Sequence, residues 1–266
     1  MKDDKPECIA DYKKWMEQEL HFDLTTRITN HYNTVVSTIR NDFENSDFWH
    51  DLLLHLPDFA SEYLLAFDYD LLIPNFKPEL ATKPYESFLH KTFRKNVLAN
   101  QNWPHPPDGG WITPDNWIER INDVLRTFFV VKYLDGVEFL AEKIQSSGHT
   151  HHMQFQLSYE AREEGYYAVH LYSTQRFEVP RMTWDTEFKQ ISIEFQITTQ
   201  LQDVITKLTH KFYERRRALV EPSSKKWQWD YKADDFLANY LGHILHYVEG
   251  MIMEVRNRER EKTHAT

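Results

Sequence analysis

Cysteine is almost missing from this chain: Cys8 is the single one in 266 residues. That excludes a disulfide framework and any cysteine-based zinc site, and it points to a cytoplasmic protein. Glycine is scarce as well, with 7 residues, too few for a Gly-rich phosphate loop of either common type. No apolar run approaches the roughly 18 residues of a spanning helix, so a membrane is not an expected partner. The opening MKDDKPECIADYKKW has no apolar stretch, and no secretory signal is expected. What the chain does have is 41% hydrophobic and 15% aromatic residues. That is ample for a packed core and excludes a disordered chain. The length suits one large domain, or one domain with appended helices.

The formal net charge of -10 is unevenly placed. Residues 1–80 hold 7 Lys+Arg against 16 Asp+Glu, whereas the remaining 186 hold 24 against 25. The acidity thus belongs to the first third. Within the balanced part a basic run stands out: Lys207, Lys211, Arg215, Arg216, Arg217, Lys225 and Lys226, opposed by Glu214 and Glu221 alone. Such a run suits phosphate contacts. It equally suits a solvated helix end, where basic side chains favour the dipole.

Apolar spacing predicts helices over residues 8–66, with Val35, Val36, Ile39 and Phe43 on one stripe and Leu52, Leu56, Phe59 and Tyr63 on the next. Ser46-Asp47 supplies the N-cap of the second run. Residues 71–80 read as a connector, and Pro84 to Ala99 as a helix with proline in its first turn. Asn100 to Pro114, with four prolines and Gly109-Gly110, is a loop. Thr113-Pro114 then opens a helix carrying Trp117, Ile118 and Ile121. Thr127 to Tyr133 (TFFVVKY) reads as a central strand buried on both faces. A short helix over Gly136–Gln145, a weaker strand over Met153–Tyr159, and alternating strands over Tyr166–Tyr172 and Ile191–Ile197 follow. Helix resumes with Leu201, Val204, Ile205, Leu208 and Phe212. A last helix, Asp234 to Arg256, is expected to turn Phe236, Tyr240, Leu241, Ile244, Val248, Ile252 and Val255 inward. There is no internal repeat and no low-complexity segment. The order predicts an α/β or α+β domain with helical extensions at both ends.

The strand periodicity sets out candidate chemistry. In ISIEFQI the apolar residues share one face, which leaves Glu194 and Gln196 on the other. In GYYAVHLY, Tyr166, Ala168, His170 and Tyr172 share a face. Two neighbouring strands of this kind bring a carboxylate, an amide, a ring and an imidazole to one surface. That set suits a nucleotide: the carboxylate for a divalent cation, the ring for a base. An ordinary solvent-facing sheet surface has the same pattern. Asp123, at the entrance to the TFFVVKY strand, stands at a common metal-ligand position that is equally a common helix-end or turn position; with Glu194 across adjacent strands it would make a two-carboxylate site for Mg²⁺. Lys83, Ser87 and Lys91, at i, i+4 and i+8, fall on one helical face and with Arg94 and Lys95 could cradle a polyphosphate. A charged, solvated helix side is the alternative.

Gly165-Tyr166-Tyr167-Ala168-Val169-His170 and Glu194-Phe195-Gln196-Ile197 resemble the GYxSxH and EIQI signatures of RelA/SpoT-type synthetase domains. Asp123 in INDVLRTFFVVKYLDG resembles the family's metal-binding aspartate. Lys83-x-x-x-Ser87-x-x-x-Lys91 resembles its KxxxSxxxK helix, and Leu208 to Glu214 sits where the family has a further His/Tyr-containing helix. The likeness spans roughly residues 80 to 217 with the motifs in order. It implies a nucleotidyltransferase-like mixed β-sheet flanked by helices: an acidic helical region over 1–80, a synthetase domain over 81–218 and a helical extension over 219–266. It also implies transfer of pyrophosphate from ATP to a ribose 3′-hydroxyl. Carried over by position, Asp123 and Glu194 would hold Mg²⁺, and Tyr166 would stack on the acceptor's base. His170 and Gln196 would position acceptor or phosphate groups, while Lys83, Ser87 and Lys91 would contact donor phosphates.

The departures from the family pattern carry information too. Ala81 stands where an adenine-stacking arginine is usual, and DxxGxR becomes Asp123-Val124-Leu125-Arg126-Thr127-Phe128, with Arg126 in place of the glycine and Phe128 in place of the arginine; Arg126 is a nucleotide-binding candidate. Met153, Phe155, Arg162 and Glu164 occupy the places of an RxK pair and a PKxN segment, so only Arg162 keeps a positive charge there. Thr198 replaces the arginine after EIQI. These losses fit a different acceptor, as in the toxic branch of the small alarmone synthetases, some of which act on the 3′ end of tRNA. Members of that branch are paired with an antitoxin or sense phage proteins. Lys211, Arg215, Arg216 and Arg217 are then candidate tRNA contacts. A weakened domain that still binds nucleotide and regulates a partner is the second reading. His50-Asp51 is an HD dyad without partner ligands and reads as coincidence. The His149, His151 and His152 cluster reads as an exposed turn, and His243, His246 and Glu249 as a packed helix face.

Overall fold

The computed structural model describes residues 5–183, 185–218, 226–232 and 234–264, with the side chains of 210–218, 234–235 and 261–264 outside the description. Eight α-helices and five strands are described: α1 (Ile9–Leu20), α2 (Thr26–Glu44), α3 (Asp47–Phe67), β1 (Leu80–Thr82), α4 (Tyr85–Phe93), α5 (Trp117–Arg120), β2 (Leu125–Val131), α6 (Leu134–Thr150), β3 (Gln156–Ala161), β4 (Tyr167–Pro180), β5 (Thr186–Thr199), α7 (Gln200–Ala218) and α8 (Asp234–His264). The strands form one mixed sheet in the order β1-β2-β5-β4-β3. This is the expected α+β architecture, a mixed sheet flanked by helices. The chain forms two compact units, Met1–Trp49 with Leu80–Arg126 and Tyr172–Glu194, and His50–Glu79 with Thr127–Leu171 and Phe195–Thr266.

Aromatic packing builds the first unit. Tyr12 and Trp15 of α1 meet Phe93 and Trp111 at ring distances of 5.1 and 4.9 Å. Tyr32 of α2 lies 4.6 Å from the Phe88 ring. Burial raises the Tyr12 phenol to about 12, so it stays a neutral donor and acceptor. Asn96 completes the set: its amide donates to the Tyr12 hydroxyl and the Ile112 carbonyl, both at 2.8 Å, and its oxygen accepts the Ile112 N–H at 2.9 Å. Tyr12, Thr92 and Asn96 thus satisfy one another's buried polar groups, as a dry interior demands.

In the second unit Phe129, Leu140, Ile144, Phe195 and Ile197 are fully buried. Phe155 packs edge-on to Phe195 at 5.2 Å and lies over Gly148, where a Cβ would collide with its ring. Asp135 anchors a polar knot. It accepts from the Tyr63 hydroxyl at 2.7 Å and from Arg256 at 3.1 Å, and the Arg256 guanidinium lies between the Tyr69 and Tyr133 rings at 4.0 and 4.2 Å.

Several expectations hold and several need correction. Ser46 caps α3, its Oγ accepting the Trp49 N–H at 3.2 Å. The helix expected from Thr113-Pro114 shrinks to the four residues of α5, because Asn116 spends its side chain on the Trp111 carbonyl and the Thr113 N–H. β4 and β5 run 14 residues each, twice the expected length. The helix α4 stops at Phe93 and continues as one wider π-helical turn, Arg94–Leu98. The largest correction concerns α8. Its buried residues are Ala238, Asn239, Gly242, Glu249 and Arg256, while Tyr240, Ile244, Ile252 and Val255, expected inside, are exposed.

Candidate active site

Lys83 sits just past β1, held at both ends of its peptide. Its N–H donates to the Val124 carbonyl at 2.9 Å, and its carbonyl accepts the Tyr32 hydroxyl at 2.8 Å. It therefore precedes the helix rather than sharing a face of it with Ser87 and Lys91. The two lysines nevertheless converge. Lys83 Nζ lies 2.7 Å from Asp123 Oδ2, and Lys91 Nζ, two turns along α4, lies 2.9 Å from Asp123 Oδ1. Ser87 is exposed on α4.

The electrostatics of this cluster follow from burial and charge together. Burial pushes the Asp123 carboxyl up, but Lys91 and Lys83 jointly outweigh it and hold the group at about 2. Asp123 is therefore ionised across the physiological range. Burial also drives Lys83 below the ordinary lysine value, against the pull of Asp123, and the charges of Lys91 and Arg126 add to that direction. Lys95 is lowered as well, by burial and then by Lys91 and Arg120, and its Nζ donates to the Arg120 carbonyl at 3.2 Å. Two lysines thus share one carboxylate, with further cations close to each of them, an excess of positive charge that favours a polyanion.

Glu194 lies on β5 in the same unit, 5% exposed, with Oε1 accepting the Tyr172 hydroxyl at 3.1 Å. Glu194, Gln196 and His170 are buried rather than arrayed on a solvated face. Tyr172 was readable as a neighbour of Tyr166 and His170 by its period-2 position, but nothing in the sequence tied it to Glu194. Arg120 and Tyr32 left no signal beyond their charge and helical stripe.

The second unit holds the turn before β4. Gly165 adopts φ +77°, and the turn closes through Gly165 N–H to the Arg162 carbonyl at 2.9 Å and Arg162 N–H to the Tyr166 carbonyl at 3.0 Å. The Tyr166 hydroxyl lies 3.0 Å from His170 Nε2, and the Arg162 guanidinium lies 5.1 Å from the centre of the Tyr166 ring. Arg162 is kept in place by Glu160 at 3.1 Å. A ring with a planar cation beside it and a hydroxyl fixed by an imidazole can present a flat surface to a base. Gln196 follows on β5.

The packed reading of the last helix is correct. The Tyr167 ring stacks on His246 at 3.7 Å, its hydroxyl donates to His243 Nδ1 at 2.8 Å, and His243 Nε2–H donates to the Glu163 carbonyl at 2.9 Å. Burial lowers the His246 imidazole and raises the Glu249 carboxyl. Asp51 of the HD dyad pairs with His151 at 3.0 Å. A cavity of about 200 Å³ in this unit, lined by residues including Lys132, Tyr133 and Glu249, contains none of the candidate residues. The candidate tRNA contacts Lys211, Arg215, Arg216 and Arg217 belong to α7, but their side chains lie outside the described residues.

No protein-family model and no curated protein matches this sequence. Solved structures do match the fold. The small alarmone synthetase 1 from Bacillus subtilis superposes with a TM-score of 0.53 at 14% identity, over 88% of this chain and 97% of that one. The same enzyme bound to its product pppGpp gives 0.52 at 15% identity, over 79% and 92%. A GTP pyrophosphokinase family protein from Streptococcus pneumoniae gives 0.51 at 16% identity, over 89% and 95%.

Proposed function

We propose that this chain, which has the fold of the small alarmone synthetases, transfers a pyrophosphoryl group from ATP to the 3′-hydroxyl of a ribose. The observation that carries this reading is the cation-rich cluster around Asp123 within that fold. Two named neighbours strengthen it: one is called a GTP pyrophosphokinase family protein and another holds pppGpp as its product.

In the reaction the acceptor's 3′-oxygen attacks the β-phosphorus of ATP, the bond from that phosphorus to the α,β-bridging oxygen breaks, and AMP leaves. The acceptor's hydroxyl proton is released as the new O–P bond forms. Lys83 and Lys91 hold donor phosphate oxygens, exchanging Asp123 for the incoming anion. Arg126 adds charge beside Lys83. Tyr166 stacks on the acceptor base, with Arg162 alongside, and His170 fixes the Tyr166 hydroxyl. Gln196 positions acceptor or phosphate groups. Most of the acceleration comes from holding the two reactants in line and from neutralising phosphate charge.

The donor set suits Mg²⁺. An ionised Asp123 and the Glu194 carboxylate are hard oxygen ligands, and Mg²⁺ is commonly held by one or two carboxylates plus substrate phosphates. Substrate phosphates would then complete the coordination. The ion would supply charge neutralisation on the transferred group.

For the acceptor we infer a guanine or adenine nucleotide or the 3′ end of tRNA, the last drawing on Lys211, Arg215, Arg216 and Arg217. An enzyme of this kind inhibits growth, and an antitoxin or other regulatory protein is its expected partner. The test is to incubate the protein with Mg²⁺ and ATP labelled on its terminal phosphate, offering GDP, GTP, AMP and bulk tRNA separately. Label on an acceptor with release of AMP is the expected result, and the labelled acceptor names the substrate. ATP binding without transfer to any of the four would overturn the enzyme reading in favour of a nucleotide-binding regulatory protein.

A further inference from the structure

Helix α8 brings a carboxyl group to the wall of a cavity and leaves one of its oxygens unbonded there. The cavity, of about 200 Å³, lies beyond the neighbouring strands β2 and β5. Lys132 and Gln200, the residues that directly follow those strands, line it. Leu134 and Leu201, in the first turns of α6 and α7, and Ile252 of α8 supply apolar wall. Glu249 lines it too and is 4% exposed. Its Oε1 accepts the Thr199 hydroxyl, whereas its Oε2 is buried without a hydrogen-bond partner among the described residues. Gln202 lies against the same carboxyl, but its amide donates to the Gly242 carbonyl at 3.3 Å. His246 Nδ1 stands 3.6 Å from Oε2, too far for a hydrogen bond, and burial holds that imidazole toward its neutral form.

A buried polar atom left unbonded costs free energy, so a ligand that completes it gains affinity. The sign of that ligand follows from its surroundings. Burial raises the Glu249 carboxyl, and since Oε1 accepts from Thr199 the proton belongs on Oε2, a donor that lacks an acceptor. Lys132 adds positive charge, tempered by Asp70 at 2.7 Å. The start of α6 adds more: Tyr133, the residue before it, makes no side-chain capping bond, and the helix runs 17 residues from there. A cation would meet the wrong potential in this cavity, and an oxyanion meets the right one. The apolar wall calls for a hydrocarbon body, because inorganic phosphate would leave Leu201 and Ile252 unused. We propose that the cavity binds a short-chain carboxylate, its oxygens against Glu249 Oε2 and the start of α6, its alkyl part against Leu201 and Ile252. No candidate active-site residue lines the cavity, so this inference stands apart from the pyrophosphoryl-transfer reading.

Saturation-transfer NMR on the full chain at about pH 6, where the probe isovalerate is ionised, reads the outcome. A ligand of about seven non-hydrogen atoms is expected to bind with a Kd on the order of 1 mM. Butylammonium and inorganic phosphate in excess should not displace it. Glu249→Leu should weaken binding about tenfold, whereas Glu249→Gln, whose amide still donates, should bind within about threefold of wild type. Ile252→Trp, at a partly exposed position, should fill the cavity and abolish binding; it also carries the test if Glu249→Leu fails to fold. No isovalerate signal up to about 50 mM would mean that the cavity holds only water, and would overturn the proposal. Displacement by phosphate or a preference for butylammonium would overturn the ligand class. Binding unchanged in folded Glu249→Leu or Ile252→Trp would place the contact elsewhere and overturn the site.

Discussion

Lys83 Nζ lies 2.7 Å from Asp123 Oδ2, and both side chains are largely withdrawn from solvent. Lys91 closes on the other oxygen at 2.9 Å, so one carboxylate holds two ammonium groups in place. The arrangement keeps two cations, the proposed phosphate contacts, close together without a nucleotide. It also means that an incoming polyphosphate competes with Asp123 for them.

Asp123→Asn removes that competition along with a proposed metal ligand. Pyrophosphoryl transfer is expected to fall roughly 10²-fold or more. ATP affinity measured by calorimetry in the presence of a chelator should stay the same or tighten. Lys83→Ala or Lys91→Ala should instead weaken ATP binding about tenfold, the worth of one charge-assisted contact. Equal loss of ATP binding in all three variants would reduce Asp123 to a structural counter-ion.

The Asp123 ion pairs also make a pH signature. Its carboxyl is held at about 2 in the folded chain, below its unfolded value, and the lysines are fully protonated in both states at low pH. The stabilisation is therefore present above about pH 4 and is lost as pH falls toward 2. It amounts to about 2 kcal/mol. Urea unfolding at pH 7 and pH 2.5 should show a pH-dependent gap between wild type and Asp123→Asn that narrows at the lower pH. A constant gap would mean that the ion pairs contribute nothing net.

Glu249 has the opposite sign. Burial raises its carboxyl, against the opposing hydrogen bonds of Thr199 and Gln202. A raised group contributes stability that is complete below the unfolded value and is lost as pH rises through the folded one. Glu249→Gln keeps an acceptor for Thr199 and cannot ionise, so its melting temperature should exceed that of the wild type at pH 8 and match it near pH 4. A lower melting temperature at pH 8 would show that the charged form is the stabilised one.

Gly242 of α8 packs directly on the turn at Gly165. A Cβ at Gly242 would overlap the Gly165 carbonyl oxygen, and one at Gly165 would meet the Asn239 carbonyl oxygen at 2.5 Å. Both obstacles are backbone and cannot rotate aside. Gly242→Ala should cost about 2 kcal/mol or more. Because the same turn carries Tyr166, it should also weaken acceptor binding more than ATP binding. Unchanged unfolding midpoints would show that α8 slides to accommodate the methyl group.

Much of this chain was legible before any coordinates. Val35, Val36, Ile39 and Phe43 declared α2 by spacing, Ser46 declared the start of α3, and the alternation in ISIEFQI declared a strand. Motif order alone picked out Lys83, Lys91 and Asp123, and those three do meet. Lengths were less readable. Arg181, between β4 and β5, pairs with Asp185 and Glu187 through exposed charges, and the start of β5, Thr186–Gln190, is largely polar, so the hairpin's end was not marked by apolar residues.

Local order, then, is what the sequence determined by itself: which stretches are helical, which alternate, which charges recur at a fixed spacing. Those properties depend on neighbours a few residues away, and such neighbours are written in the chain. Tertiary structure alone decided which side of α8 turns inward. Periodicity identifies an apolar stripe but not what lies across from it, and here the groups across from α8 are Thr199, Tyr167, Asp135 and the Gly165 turn. They demand hydrogen bonds, an ion pair and close backbone contact. Glu249, His243, Arg256 and Gly242 meet those demands, and the apolar stripe is left facing out.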